Sequence, residues 1–207
     1  IRSRWLALIG EMREKQRDFP GAIGFYDQAI KVMRSKDLIV PLAALLLQQG
    51  WCQAGEGLFT EARAAFDEAL IIRKKTMDPL GEAGALKFIG YLSEAYGDYE
   101  SAVFYYQQAR KILQLLAGEE ERRQVEINLL RVLINQGAWK EAGQLLETTG
   151  TGTPLLMITQ GYFKLLSGDE AGGRASIMAG RQAAGDTDSE ALAWSYLRAA
   201  ELGLALE

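Results

Sequence analysis

The chain has 207 residues, 48% apolar and 24% charged, with a formal net charge of −4 and no histidine. That balance is the one of an ordinary globular protein, and an acidic sum argues against a phosphate-binding surface, so no nucleic-acid partner is expected. With no histidine and a single cysteine, Cys52, the chain cannot build Ser-His or Cys-His nucleophilic pairs, a mixed His/Cys zinc site or an internal disulfide.

The elements follow from a repeat. Ala22, Ala62, Ala102 and Ala142 stand forty residues apart, and their surroundings repeat with them. Four residues on come Tyr26, Phe66, Tyr106 and Leu146; seven on come Ala29, Ala69 and Ala109, with Thr149 breaking the set. Three before are Phe19, Phe59, Tyr99 and Trp139. Five before are Gly57, Gly97 and Gly137, with Arg17 in the first copy, and twelve before are Gly10, Gly50 and Gly90, replaced by Leu130. Offsets of three and four are helical spacing, so each copy reads as a pair of antiparallel helices, A then B. Glycine in mid-helix A and alanine early in helix B are expected to let the two backbones approach, with the aromatic three residues before the alanine filling the wedge between them. Gly97 and Gly137 supply the positive φ that ends a helix.

In chain order the expected units are about 1–40, 41–80, 81–120, 121–153 and 154–186, followed by a final helix over 187–207, about eleven helices in all. Asp78 before Pro79 reads as an N-cap with proline at the first helical position. The run Glu119-Glu120-Glu121 suits the positive end of a helix dipole better than a cation site. The helix from Trp139 is expected to stop early, in Thr148 to Pro154. In the fifth unit Gly161, Gly168-Asp169, Gly173 and Gly180 take the repeat positions, and Ser167 with Glu170, like Thr187 with Glu190, has the spacing of a capping box. One hairpin cannot bury its own apolar face, so neighbouring hairpins must stack.

The third copy, Leu86, Gly90, Gly97-Asp98-Tyr99, Ala102, Tyr106 and Ala109, resembles the tetratricopeptide repeat, and the resemblance covers nearly the whole chain. Ser93 stands where a large aromatic is common. The usual unit is about 34 residues; six more at 1.5 Å rise add about 9 Å of helix. The long unit is similar to that of kinesin light chains, Pins-type adaptors and bacterial regulators of the maltose-activator type. The resemblance implies an all-α, right-handed superhelical solenoid of antiparallel helix pairs, one domain over 1–207. It also implies a concave side lined by helix A, with the residue after the central glycine in the groove.

Those residues are Glu11, Trp51, Tyr91 and Arg131, and four positions earlier stand Ala7, Leu47, Lys87 and Ile127. The expected partner-binding residues are Glu11, Trp51, Lys87, Tyr91 and Arg131, with Trp51 and Tyr91 as apolar anchors; burial of both rings between helices is the competing reading. An asparagine expected in the clamp of chaperone-tail-binding repeats is missing, which argues against an acidic C-terminal tail. There is no P-loop, and Gly55-x-Gly57 and Gly150-x-Gly152 lack the third glycine of a dinucleotide fingerprint.

No catalytic residue, metal or cofactor is expected. The basic cluster Arg73-Lys74-Lys75 and the pair Arg110-Lys111 read as solvated faces with local acidic partners, and Cys52 as a buried small hydrophobe. Two functions compete: a non-catalytic scaffold holding a peptide or helix of a partner protein, and a ligand- or partner-sensing regulatory domain of a larger bacterial regulator. No run approaches the roughly 18 apolar residues of a membrane span, and no charged n-region with an apolar h-region opens the sequence; a cytoplasmic location is expected. Apolar residues surround both terminal helices, including Trp5, Leu6, Leu8 and Ile9. The chain is therefore expected to be a fragment of a longer array or to self-associate through its ends.

Overall fold

The computed structural model describes residues 2–116, 119–149 and 153–185. Every regular element in them is an α-helix: α1 (Arg2–Lys15), α2 (Phe19–Ser35), α3 (Ile39–Gly55), α4 (Phe59–Lys75), α5 (Pro79–Ala95), α6 (Tyr99–Leu116), α7 (Glu119–Asn135), α8 (Trp139–Thr149), α9 (Pro154–Leu166) and α10 (Glu170–Ala184). The eleventh helix expected over 187–207 lies outside the described residues. The helices fall into two compact units, residues 1–125 and 126–207.

In the first unit α1 packs on α2, α3 on α4 and α5 on α6; α2 also packs on α3 and α4 on α5, and α1, α3 and α5 touch in succession. These are three stacked A–B hairpins. In the second unit α9 and α10 form a hairpin.

The forty-residue period resolves into two equal halves. Helices α2 to α5 are 17 residues each, separated by three-residue turns. The same turn joins A to B and B to the next A. Its middle residue has positive φ: Arg17 (59°), Asp37 (53°), Gly57 (76°), Met77 (52°), Gly97 (76°) and Gly137 (72°). Its last residue donates its N–H back to the carbonyl five residues earlier, as Asp18 to Arg13 (3.0 Å), Leu58 to Gln53 (2.8 Å) and Asp78 to Arg73 (3.0 Å). That is a Schellman closure, and its last residue is at once the N-cap of the following helix. Asp18 accepts from the Gly21 N–H (3.0 Å) and Asp78 from Gly81 (2.9 Å), with Pro20 and Pro79 in the first turns. Leu38 and Leu58 hold the same place without a side-chain bond.

The central glycine seats a ring rather than a backbone. A Cβ built on Gly10, Gly50 or Gly90 would lie 2.4, 2.5 or 2.8 Å from the ring of Tyr26, Phe66 or Tyr106, each fully buried. Where the ring carries a hydroxyl, helix A supplies an acceptor. Tyr26 donates to Glu14 (2.6 Å) and Tyr106 to Glu94 (3.2 Å); in the second copy Phe66 has no hydroxyl, and Ala54 stands at the register position of the acid. The fifth hairpin shows the expected backbone approach. A Cβ on Gly161 would lie 2.7 Å from the Gly173 carbonyl oxygen, and one on Gly180 would lie 2.8 Å from that of Pro154.

The turn aromatics also link successive hairpins. Phe19 packs on Gly55, Phe59 on Tyr96 at 5.0 Å, and Trp139 on Phe163 at 6.4 Å. Each reaches the next hairpin.

Helix α8 is shortened to 11 residues, as the Thr-Gly-Thr stretch foretold. α7 opens on Glu119, Glu120 and Glu121 in its first turn. At α10 the cap is Asp169, which accepts from the Gly172 N–H at 3.0 Å. Ser167 instead donates to the Phe163 and Lys164 carbonyls, so no Ser167–Glu170 capping box forms. The Thr187–Glu190 pair lies outside the described residues.

Candidate functional site

The first unit presents one continuous side made by α1, α3 and α5. On α3 it carries Ala44, Leu47, Gln48 and Trp51, and on α5 the positions forty residues on, Gly84, Lys87, Phe88 and Tyr91. Spacings of three, four and three put each set on one helix face.

Of the expected site residues, the structure brings Trp51 and Tyr91 together, with ring centroids 5.2 Å apart. Phe88 joins them, 6.0 Å from Trp51, and stacks on Phe66 at 5.3 Å. Trp51 is half-buried and Tyr91 exposed, so the rings connect the core to the surface. Glu11 pairs with Lys15 at 2.9 Å on its own helix. Arg131 belongs to the second unit, where it is half-buried, and Ile127 is buried.

Two recesses open on this unit. The larger, about 470 Å³, is lined by Ala44, Leu47, Gln48, Trp51 and Phe88, with Glu14 and Arg73 contributing charge. Arg73 arrives from the last turn of α4. Its side chain is 12% exposed and donates to Asp78 at 2.6 Å, and its Nε has no hydrogen-bond partner. Arg73 is thus not a solvated residue: the turn folds it under Gly81, whose missing Cβ leaves the space. Its neighbour Lys74 is exposed and, like Arg73, has a local acidic partner, Glu82, at 3.7 Å.

The smaller recess, about 190 Å³, lies between α5, the end of α6 and the start of α7, and is lined by Leu80, Leu113, Leu116 and Val125 around Lys87 and Glu121. Burial lowers the Lys87 pKa from its ordinary value, and the charge of Glu121 opposes that shift. Its ammonium stands 5.4 Å from the Phe88 ring centroid.

Beneath the surface Cys52 is buried. Burial, then the Glu14 carboxylate, pushes its thiol up to about 12, which makes it a poor nucleophile. No group of three or more His, Cys, Asp or Glu side chains among the described residues has the arrangement to hold a metal ion. No helix among them is long and apolar enough to cross a membrane.

Phe88, Glu14 and Arg73 were missed in the sequence. Phe88 was findable, since it sits three residues before Tyr91 on the same face. Arg73 was not, because it enters across a turn from another helix.

The stacking of equal hairpins, each with a ring seated on a glycine, decides the architecture. The chain has the tetratricopeptide-type helical-repeat fold. No family model matches the sequence, and neither does any curated relative. Solved structures do match. A Podosopora anserina protein described as a kinesin light chain with nearly identical TPR-like repeats is 16% identical, over 91% of this chain and 98% of that one, with a TM-score of 0.73. BtubC (BKLC) from P. vanneervenii is 18% identical over 98% of this chain and 82% of its own, with a TM-score of 0.72. The Rap conjugation gene regulator of plasmid pLS20, solved in complex with the Phr* peptide, is 15% identical over 95% of this chain, with a TM-score of 0.74; this chain spans 57% of that one. At these identities the likeness is one of fold.

Proposed function

We propose that this tetratricopeptide-type chain is a non-catalytic interaction module that holds a peptide or helix of a partner protein on the α1–α3–α5 side of its first unit. The observation that carries this reading is the joined ring cluster of Trp51, Phe88 and Tyr91, running from the core to the rim of a recess with Arg73 and Glu14 in its lining. Aromatic residues and arginine dominate interface energetics. Lys87 adds a donor on the same helix face as Tyr91.

The test is selection from a displayed random-peptide library on the wild-type chain and on Trp51→Ala, with helicity checked by circular dichroism. Peptides enriched on the wild type should lose binding at least tenfold on Trp51→Ala, and more weakly on Lys87→Glu. Equal enrichment on all three proteins, with helicity intact, refutes the assignment.

A regulatory reading is favoured by the second recess. There Lys87, with Glu121 in the same otherwise apolar lining, offers a cation to a small anionic ligand that would have to displace the Glu121 carboxylate. A thermal shift with a small carboxylate, lost on Lys87→Met, would select that function over the first.

A further inference from the structure

Every lysine of the chain is exposed except Lys87 and Lys164. Lys164 donates to Ser176 at 3.0 Å, whereas Lys87 makes no hydrogen bond or ion pair among the described residues. In the other copies its register position is held by Ala7, Leu47 and Ile127, so an amine stands where the repeat places an apolar side chain. Around it are Leu80, Ala83, Leu113, Leu116 and Val125. Glu121 is the one other charged residue of that lining; it acts on Lys87 through its charge without closing an ion pair.

An amine drawn out of water into apolar surroundings holds its proton less tightly, and the free base is a nucleophile toward carbonyl carbon. We infer that Lys87 is a nucleophilic amine that captures a small aldehyde with an apolar body as an imine. The nitrogen lone pair forms the bond to the carbonyl carbon, the two amine hydrogens pass to the carbonyl oxygen, and that oxygen leaves as water. C=N thus replaces C=O with no oxidant or reductant. A neutral aldehyde suits the recess because, unlike an anion, it leaves Glu121 in place, and the protonated imine keeps a positive charge facing that carboxylate. Burial also lowers the Lys87 pKa, against the charge of Glu121, in keeping with the geometry. The inference rests on the recess of the regulatory reading and is independent of the Trp51 ring cluster.

Limited reductive alkylation of the 207-residue chain at about pH 7 with hexanal and cyanoborohydride, which traps an imine as a secondary amine, tests it by peptide mass mapping. Lys87 should take the alkyl group about tenfold faster than the exposed Lys15 and Lys74. That preference should shrink with formaldehyde, which has no apolar body, and vanish in urea. Leu116 is exposed at the edge of the recess, so Leu116→Asp should set a second carboxylate beside the amine and slow its labelling with helicity unchanged. Labelling of Lys87 no faster than that of Lys15 and Lys74 overturns the inference, as does a preference equally strong with formaldehyde or unchanged in Leu116→Asp. A thermal shift with a small carboxylate but no preferential alkylation would sink the imine and leave the regulatory reading standing; preferential alkylation without that shift would do the reverse.

Discussion

Replacing Gly50 by alanine puts the ring-seating glycine to a direct test. Two effects oppose one another. Alanine is the better helix former by about 0.8–1.0 kcal/mol. Against this, its Cβ would stand 2.5, 2.8 and 3.1 Å from Cε1, Cδ1 and Cζ of Phe66, a ring that is fully buried and stacked on Phe88. Restoring ordinary contact means moving the ring by about 1 Å into a filled core, and such overpacking costs about 1–3 kcal/mol. Gly84 is the control. It too lies within a helix A, but a Cβ there meets nothing within 4 Å, so Gly84→Ala keeps the propensity gain without the clash. Urea unfolding followed by ellipticity should show Gly84→Ala stabilised by about 1 kcal/mol and Gly50→Ala lying about 1–3 kcal/mol below it. The fourth copy shows the alternative solution, Leu130 and Leu146 at the glycine and ring positions. Phe66→Leu should therefore relieve part of the Gly50→Ala penalty, with a coupling energy of about 1 kcal/mol in a double-mutant cycle. Equal shifts for Gly50→Ala and Gly84→Ala, or no coupling to Phe66, would refute the seating argument.

Three further outcomes follow from the turns and the buried titratable groups. Leu58 holds the N-cap of α4 with no side-chain bond and is exposed, whereas Asp18 and Asp78 cap in the same turn; Leu58→Asp should raise stability by about 0.5–1 kcal/mol, read as a higher urea midpoint at unchanged slope. At high pH, burial and the hydrogen bond to Glu14 raise the Tyr26 pKa, and the Cys52 thiol is pushed up to about 12. Both groups keep their protons in the folded state where the unfolded chain loses them, above about pH 8.5 for cysteine and about pH 10 for tyrosine. Their contribution is thus fully present below those values and is lost as pH rises. The urea midpoint should fall from pH 9 to pH 11, and the fall should be shallower in Cys52→Ala; a flat profile would contradict the placement of these groups. Thiol reagents at pH 8 should label Cys52 only as fast as the chain opens.

The fold was legible because one residue pattern is written several times. Ala22, Ala62, Ala102 and Ala142 carry the register, and the glycine at 57, 97 and 137 marks the helix ends that the φ values show. Less legible was which surface each residue faces. A spacing of three or four fixes a face but not its partner, so the contacts of Phe19 with Gly55 and of Phe59 with Tyr96 in the next hairpin were not legible. The twenty-residue half-period was hidden because Arg17, Asp37 and Met77 occupy left-handed positions where glycine would have announced the turn. At the candidate site, Trp51 and Tyr91 were reachable from the place of Gly50 and Gly90, while Arg73 depends on a chain reversal that no local pattern encodes.

Equal helices joined by equal turns have a bearing on how such a chain can change length. Because one three-residue turn serves both junctions, a duplication or deletion of twenty residues would leave the backbone path intact yet put every later ring where a glycine belongs. A change of forty restores both backbone and phase. Viable length variants should therefore differ by whole hairpins, even though the geometry of the turns would admit a single helix. It is the alternation of glycine and ring, more than the path of the chain, that sets the smallest heritable step.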